Sequence, residues 1–493
     1  MKTVPRITVA AAVWRRSAAG LAVAISLLAA ACAPAAQAPA PTTAPAPPAA
    51  KPTSAPAAAV AQPTPPPAAK PAGGGATGTV NVAMVGNPQM KTLEQLKGDF
   101  ESSHPGITVN LLVLPENQVR DKVTTDISTG AGQFDLVTIG MYEVPLWAKN
   151  KWIEEVGTTL QQDANYDFND LFPSIRKGLE YDGKLYAAPF YGESSALMYR
   201  KDLFQKAGLQ MPDKPTWDQV AEFAKKLHNP PGQFGICLRG LPGWGEQLGP
   251  LDTVINTFGG RWYDESWKAQ VDSPESSSAI KFYIDTVKTA GEPGATQAGF
   301  TECETLMVQG KVSMWYDATS GGDLVFDPKQ NPNAANMGMV YAPTKEKPYS
   351  GWLWAWAFAM ESNSKNKPAA YEFMKWATSK DYVNLVAQKS GWGSVPSGVR
   401  KSTYDQAGYK DYAKEFAAVT LDSIENADPT HATVKPVPYT GIQFLQIPEW
   451  QDLGTRASQE FAAAMAGQQS ADDAIKKAND YANQVAKQGG YQK

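Results

Sequence analysis

The chain has 493 residues and a formal net charge of −4. A chain of this length exceeds what one hydrophobic core usually holds, so we expect two or three domains. The acidic balance argues against nucleic acid as a partner, because phosphate binding requires a basic surface. With only 3 Cys and 3 His, we expect no metal and no cofactor.

The first residues have the pattern of a secretory signal peptide. Basic residues and no acidic residue occur in the first sixteen positions, and an apolar run of small residues follows to position 31. The run is shorter than the ~20 apolar residues that a membrane-spanning helix needs. We therefore predict a signal peptide over 1–31 and an exported protein.

Cys32 stands directly after three alanines, in the segment LLAAAC. This segment resembles a bacterial lipobox, whose cysteine is acylated before cleavage. It departs from that pattern at Ala29, where leucine is preferred, and cleavage without acylation is the alternative. The resemblance implies lipidation of Cys32.

A segment of low complexity, rich in Pro and Ala, occupies positions 33–72. Such a composition cannot bury a core and is typical of a semi-rigid spacer with polyproline II character. Residues 32–78 are therefore predicted to form a lipid-anchored linker. We expect the protein at the outer face of the cytoplasmic membrane or in the periplasm, with the lipid as its membrane contact.

The body of the chain, from Thr79 onward, has an α/β pattern. Strands are predicted in TVNVAMV, GITVNLLVL and FDLVTIG, separated by two segments of helical periodicity, the second over about 116–130. This order predicts a parallel sheet with helices on both faces. Ligands bind outside the carboxyl ends of such strands. Those ends carry Asn87 and Gln89 after the first strand, and Tyr142 and Glu143 after the third.

Helices dominate the rest of the predicted structure. A capping-box pattern at Thr216 and Gln219 predicts the start of one helix. Strands are predicted at the start of GICLRGLPGWGEQLG, before its glycine-rich loop, and in KVSMWYDA. Further helices are predicted over about 274–289, 367–379, 454–466 and 470–487.

Several segments resemble the family 1 extracellular solute-binding proteins of ABC importers. The matching segments are FESSHPGITV, FDLV, GKLYAAPF, LMYRKDLFQKAGL, PTWDQ and YEFMKWATSKDYVNLVAQKSGWGSVP. The resemblance covers nearly the whole chain from Thr79. Within the family, four segments are similar to mannitol/sorbitol-type polyol binders: FYGESSALMYRKDLF, GICLRGLPGWGE, GWLWAWAFAM and DPTHATVKPVPYTGIQF.

The resemblance implies a periplasmic-binding-protein-like (type II) α/β fold with two lobes. The N-terminal lobe would comprise 79–190 and 342–394, and the C-terminal lobe 191–341 and 395–493. A cleft between the lobes would hold one ligand and close on it through a hinge.

A polyol offers hydroxyl groups and C–H faces but no charge. Its receptor therefore needs carboxylates, amides or guanidinium groups for paired hydrogen bonds, and aromatic faces for the carbons. Strand ends, lobe crossings and the glycine-rich loop of this chain supply such side chains. The candidate ligand-binding residues are Asn87, Gln89, Tyr142, Glu143, Tyr191, Glu193, Arg239, Trp244, Glu246, Trp315, Asp317, Trp352, Trp354 and Tyr439.

Each candidate also has a purely structural interpretation, as loop polarity, a hinge salt bridge or a packed ring. Trp352, Trp354 and Trp356 recur at period two and would share one face of a strand. A face of three tryptophans is more typical of a core, so we expect only one or two, those nearest the start of the strand, to reach the cleft. Tyr439 and Gln443 are both weaker candidates.

Cys237 and Cys303 remain after the cysteine of the lipobox. Export permits a disulfide, but the sequence does not show how far apart the two residues lie. Pairing and free thiols both remain open at this point.

The pattern and the resemblance together predict a receptor that performs no chemistry. It would bind a sugar alcohol or related sugar as a monomer and deliver it to the transmembrane subunits of an ABC permease. The alternative is a secreted carbohydrate-active enzyme, because aromatic rings and carboxylates also line glycosidase clefts. No nucleophile motif or cluster of metal ligands in the sequence favours that alternative.

Overall fold

The computed structural model describes residues 76–349 and 351–492. The predicted signal peptide, Cys32 and the linker up to position 75 lie outside the described residues. Among the described residues, no helix combines the length and the apolar character that crossing a membrane requires.

The strands of the described residues are β1 (Gly78–Val85), β2 (Ile107–Leu114), β3 (Leu136–Ile139), β4 (Glu180–Tyr181), β5 (Lys184–Leu185), β6 (Ala187–Glu193), β7 (Ser195–Arg200), β8 (Met314–Ala318), β9 (Met337–Tyr341) and β10 (Trp354–Met360).

The helices up to residue 308 are α1 (Pro88–Ser103), α2 (Glu116–Thr129), α3 (Glu143–Lys149), α4 (Gly157–Gln162), α5 (Pro173–Gly178), α6 (Lys201–Lys206), α7 (Trp217–Leu227), α8 (Leu248–Thr257), α9 (Pro274–Ala290) and α10 (Phe300–Val308). The later helices are α11 (Gly322–Val325), α12 (Lys367–Ala377), α13 (Lys380–Lys389), α14 (Lys401–Asp405), α15 (Ala407–Tyr412), α16 (Ala417–Asn426), α17 (Trp450–Met465) and α18 (Ala471–Gln488). Single 3-10 turns include Thr319–Gly321.

Two larger sheets organise the described chain, and β4 and β5 form a third sheet of two strands. The first has the strand order β2-β1-β3-β10-β6, and the second has the order β8-β7-β9. β1 pairs in parallel with β2 and β3, as the sequence predicts. β10 runs antiparallel to β3 and β6, and it is a strand that the predicted parallel arrangement of the first three strands did not include. The chain enters β10 from β9 of the second sheet. It therefore lacks the helical crossover that makes consecutive strands of one sheet parallel.

The chain changes sheets at Ser194, between β6 and β7, and returns between Tyr341 and Trp354. β6 still belongs to the first sheet at Glu193, three residues beyond the predicted end of the first N-terminal segment. The full lobe boundaries stay a prediction.

Local sequence explains several elements. Thr216 and Gln219 form the predicted capping box, in which the Thr216 Oγ1 accepts from the Gln219 N–H at 3.3 Å and the Gln219 Oε1 accepts from the Thr216 N–H at 2.9 Å. The apolar face of α7 that follows is buried. The predicted helices over 116–130, 274–289, 367–379, 454–466 and 470–487 are confirmed as α2, α9, α12, α17 and α18.

One predicted strand is absent from the described residues. The segment GICL makes only a single parallel bridge, from Cys237 to Trp315 on β8. The chain then turns away at Gly240, where a Cβ would lie 2.4 Å from the Ala295 carbonyl oxygen. The segment therefore acts as a buried support beneath the glycine-rich loop.

Candidate functional site

A small pocket lies between the two sheets. Residues from both sides of the Ser194 crossing contribute to it. Its walls combine four tryptophan rings with carboxylates, two guanidinium groups and two side-chain amides. The lining residues are Asn87, Glu116, Arg120, Glu193, Arg239, Trp244, Gly245, Gly249, Phe300, Trp352, Trp354, Trp356, Gln443 and Phe444.

All three tryptophans of the period-two run line this pocket. Trp354 and Trp356 share one face of β10, and their rings meet edge to face at 5.8 Å. Trp352 precedes the strand. The expectation that only one or two would reach the cleft is therefore wrong for this pocket, because the period-two spacing keeps these rings on the side of the chain that faces it. Gly140 admits the Trp354 ring, since a Cβ there would lie 2.0 Å from its Cζ2.

Arg239 is held at the pocket by a buried carboxylate. Its Nε and NH2 donate to the two carboxylate oxygens of Asp317 at 2.8 and 2.5 Å. Burial opposes the charge of the guanidinium, but Asp317 outweighs this effect and raises the pKa of Arg239 well above its usual value. Trp315 donates its Nε1–H to the same carboxylate at 3.1 Å. Asp317 and Trp315 are fully buried behind Arg239 and do not line the pocket.

Arg120 is a pocket residue that sequence reasoning missed. Its guanidinium lies 4.1 Å from the centre of the Trp244 ring and 4.6 Å from that of Trp356. Glu116 and Glu143 bind it at 2.9 and 2.7 Å. The i,i+4 spacing of Glu116 and Arg120 directly after β2 could have indicated this pair, since it too follows the carboxyl end of a strand.

Glu143 has a different role from the predicted one. One of its carboxylate oxygens accepts from Arg120, and the other accepts from the Gly140 N–H at 3.0 Å. The carboxylate therefore positions Arg120 and does not line the pocket. Gly245 allows this arrangement, because a Cβ there would lie 2.5 Å from Glu116 Oε1.

Two further predicted carboxylates lie near Arg239, of which Glu193 lines the pocket and Glu246 does not. Glu246 accepts from Arg239 at 3.3 Å and from the Phe300 N–H at 3.1 Å. Burial raises its pKa to about 7, with the charge of Glu116 adding to the effect. Glu193, at the end of β6, accepts from the Ser320 hydroxyl at 2.5 Å, and burial raises its pKa to about 8.

The candidates near the first strand divide into lining and supporting residues. Asn87 lines the pocket, and its Nδ2 donates to the Tyr191 hydroxyl at 2.6 Å. Tyr191 is buried behind it. The Gln89 Nε2 donates to Asp323 at 3.1 Å, and Gln89 does not line the pocket.

The candidates Tyr142 and Tyr439 lie outside the pocket. The Tyr142 hydroxyl donates to the Ile447 carbonyl at 3.0 Å, and its ring packs 4.8 Å from that of Trp244. The Tyr439 hydroxyl accepts from the Trp262 N–H at 3.1 Å. Both line a second, larger groove on the outer side of the Tyr142 ring.

Gln443, one of the two weaker candidates, does line the pocket. Its Nε2 donates to the Leu353 carbonyl at 3.0 Å, while its Oε1 has no partner among the described residues. The indole Nε1 of Trp352 is likewise buried and without a partner in the described part of the chain. A buried polar atom without a partner costs about 1–3 kcal/mol, so these atoms favour a polar ligand.

Cys237 and Cys303 form a disulfide, with their Cα atoms 5.6 Å apart. This bond settles what the sequence left open. It joins the segment that leads to Arg239 to the helix that begins at Phe300, so it ties together two parts of the pocket wall.

Residues 86–384 match the model of a protein family described as bacterial extracellular solute-binding protein. The chain is 45% identical over 417 residues to a mannitol-binding protein of Pseudomonas aeruginosa, covering 84% of this chain and 94% of that protein. It is 27% identical over 350 residues to an erythritol/L-threitol-binding protein of Mycolicibacterium smegmatis, covering 66% of this chain and 71% of the relative.

The fold also matches solved structures. An ABC-transporter solute-binding protein from Agrobacterium vitis, whose crystal structure contains D-mannitol, is 48% identical with a TM-score of 0.82. That match covers 84% of this chain and 100% of the other. The predicted two-lobe type II fold and the family resemblance are thereby confirmed. The chain belongs to the family of bacterial extracellular solute-binding proteins.

Proposed function

We propose that this protein binds an acyclic sugar alcohol, mannitol or a close stereoisomer, in the pocket between the two sheets. It then delivers this ligand to the transmembrane subunits of an ABC permease. The lobes would close on the ligand through the crossings near residues 190, 341 and 394.

The observation that carries this proposal is the chemistry of the pocket wall. Trp352, Trp354, Trp356 and Trp244 offer flat apolar faces for the carbon chain. The unpartnered Gln443 Oε1 accepts a hydrogen bond and the unpartnered Trp352 Nε1–H donates one. A hydroxyl group can satisfy either atom, because it is both donor and acceptor.

The relatives support the same ligand class. Two proteins that share 45% and 48% identity with this chain, over nearly their whole length, are named or crystallised with mannitol. The relative named for erythritol and L-threitol also takes acyclic polyols, at lower identity.

Binding without catalysis fits the state of the two carboxylates that line the pocket. Glu116 is paired with Arg120, and only Glu193 has no guanidinium partner among the described residues. Glycoside hydrolysis ordinarily needs a pair of acidic residues with free access to the scissile bond. A single free carboxylate favours a receptor over a glycosidase.

We expect D-mannitol to bind with a dissociation constant in the micromolar range, about −8 kcal/mol. Replacing the lining residue Gln443 with Leu should weaken binding by about ten- to a hundredfold, because a ligand hydroxyl loses its acceptor. Isothermal titration calorimetry of the purified body measures both values.

Gln446→Leu is the matched control for Gln443→Leu. Gln446 lies three residues further along the same loop, and its Nε2 donates to the Met141 carbonyl beside the second groove. We expect its loss to change mannitol affinity less than threefold. Binding of maltose but not of any alditol would contradict the proposed function.

We also propose that Cys32 carries a lipid that anchors the protein on the outer side of the cytoplasmic membrane. The three alanines before Cys32 and the Pro/Ala-rich spacer after it support this anchoring. The spacer would let the body reach both ligand and permease as a monomer.

Cys32→Ala should move the protein from the membrane fraction into the soluble fraction, because the thiol that receives the lipid is gone. Cell fractionation followed by immunoblotting measures this shift, with Ala31→Ser as the control that keeps the thiol. A Cys32→Ala protein that stays on the membrane at the wild-type level would rule out the lipid anchor.

A further inference from the structure

The pocket and its immediate support contain more acidic than basic side chains. Among the described residues, two guanidinium groups face five carboxylates. The basic residues are Arg120 and Arg239, and the acidic residues are Glu116, Glu143, Glu193, Glu246 and Asp317.

Four of these five described carboxylates contact a guanidinium group, and one does not. Arg120 contacts two of the carboxylates, and Arg239 forms its closest pairs with two others. Glu193 has no basic group within ion-pair distance among the described residues. Ser320 donates to its Oε2, and no described residue donates to its Oε1. The side chain lines the pocket and belongs to a residue that is only 7% exposed.

An aromatic face lies directly beside this carboxylate. Glu193 on β6 is the register partner of Trp354 on β10, so their side chains are neighbours on one face of the sheet. Tryptophan faces attract cations, and in this pocket the Arg120 guanidinium already lies against Trp244, Trp354 and Trp356. A second cation would find both a carboxylate and an indole face at Glu193.

We infer that the pocket also accepts cationic amino alditols, sugar alcohols in which an ammonium group replaces a terminal hydroxyl, with that ammonium bound at Glu193. This inference rests on the proposed function, because the remaining hydroxyls use the same pocket as mannitol. An ammonium group donates up to three hydrogen bonds, and a charge-assisted bond to a carboxylate is stronger than a neutral one.

The two ends of D-mannitol are equivalent by symmetry. A single compound, 1-amino-1-deoxy-D-mannitol, therefore tests the inference, since its amine replaces either terminal hydroxyl. The ammonium end of this compound can lie at Glu193. Its hydroxyl end can then occupy the same position as the corresponding end of bound mannitol.

The protonation state of Glu193 adds a second, independent readout. Burial raises the pKa of Glu193 to about 8; Asp317 on β8 and Glu116 on α2 add to this, while Ser320 and Arg239 oppose it. Tyr191, on the same strand, also faces the group. A neutral alditol can bind with Glu193 protonated, whereas an ammonium ion requires the carboxylate. Affinity for the amine should therefore rise between pH 6 and pH 8, by at least tenfold, and affinity for mannitol should change little.

Isothermal titration calorimetry at pH 6 and pH 8, with D-mannitol and 1-amino-1-deoxy-D-mannitol, tests the inference. At pH 8 we expect the amine to bind about tenfold more tightly than mannitol. Glu193→Gln should weaken binding of the amine by about a hundredfold and remove its pH dependence, and this loss should be at least tenfold larger than the loss for mannitol. Glu304→Gln is the control, because it removes a buried carboxylate that does not line the pocket.

An amine that binds more weakly than mannitol at both pH values would overturn the inference and leave the proposed function standing. So would an amine affinity that Glu193→Gln does not change. Failure of mannitol itself to bind would instead contradict the proposed function. The pH comparison uses the wild-type protein, so it decides the question even if Glu193→Gln does not fold.

Discussion

Replacing Arg239 with Met is expected to lower the free energy of unfolding by about 3–5 kcal/mol and to abolish measurable mannitol binding. Asp317 is fully buried and Glu246 is 6% exposed, and both lose the guanidinium that compensates their charge. Breaking a buried ion pair from one side is costly because the remaining charge has no water around it. Urea titration of the unliganded protein measures the stability change, and calorimetry measures the binding.

The control for this change is Lys226→Met. Lys226 pairs with Glu222 at 2.6 Å on an exposed face of α7, where solvent screens the interaction. We expect that variant to lose less than about 1 kcal/mol. An Arg239→Met protein as stable as this control would mean that Asp317 and Glu246 do not depend on Arg239.

The second large effect is expected from removing the disulfide. A double Cys237→Ala, Cys303→Ala variant should lose about 4 kcal/mol of stability, because the bond closes a loop of 66 residues in the unfolded chain. That loop includes Arg239, Trp244 and Phe300 of the pocket wall. The mannitol affinity of the folded variant should therefore also fall, by about tenfold, because the bond no longer holds these two parts of the pocket wall together.

Two measurements check the disulfide prediction. Urea titrations compare the double variant with the wild type, and the wild type treated with a dithiol reductant under partly denaturing conditions should approach the variant. A loss below 1 kcal/mol in the double variant would show that the folded contacts around the two sulfurs hold the loop without the bond.

Sequence patterns predict the helices of this fold well where local rules decide them. The capping box at Thr216 and the apolar face of α7 are both local, and both are present in the structure. The antiparallel direction of β10 could not be predicted in this way. It depends on the chain returning from the other sheet, which no local pattern records.

The chemical character of the pocket and some of its lining residues could be predicted from the sequence. Trp244, Trp352, Trp354, Arg239 and Glu193 follow from strand ends, a glycine-rich loop and alternation, and all line the pocket. The role of Glu143 was not predictable, because its carboxylate is taken by Arg120 from another helix.

A residue on a predicted polar helix can also line a pocket. Arg120 belongs to α2, whose polar sequence is typical of a solvent-exposed face. It is buried only because Trp244 and Trp356 approach it from distant parts of the chain. Pairing between such distant segments is a tertiary property, so a single sequence cannot reveal it.

A crystal structure of the protein with D-mannitol tests the central claim most directly. We predict the ligand between the indole rings of Trp352, Trp354 and Trp356, with hydroxyl groups bonded to Gln443 and Glu193. Mannitol seated instead in the second groove, against Tyr142 and Tyr439, would contradict the assignment of the binding pocket.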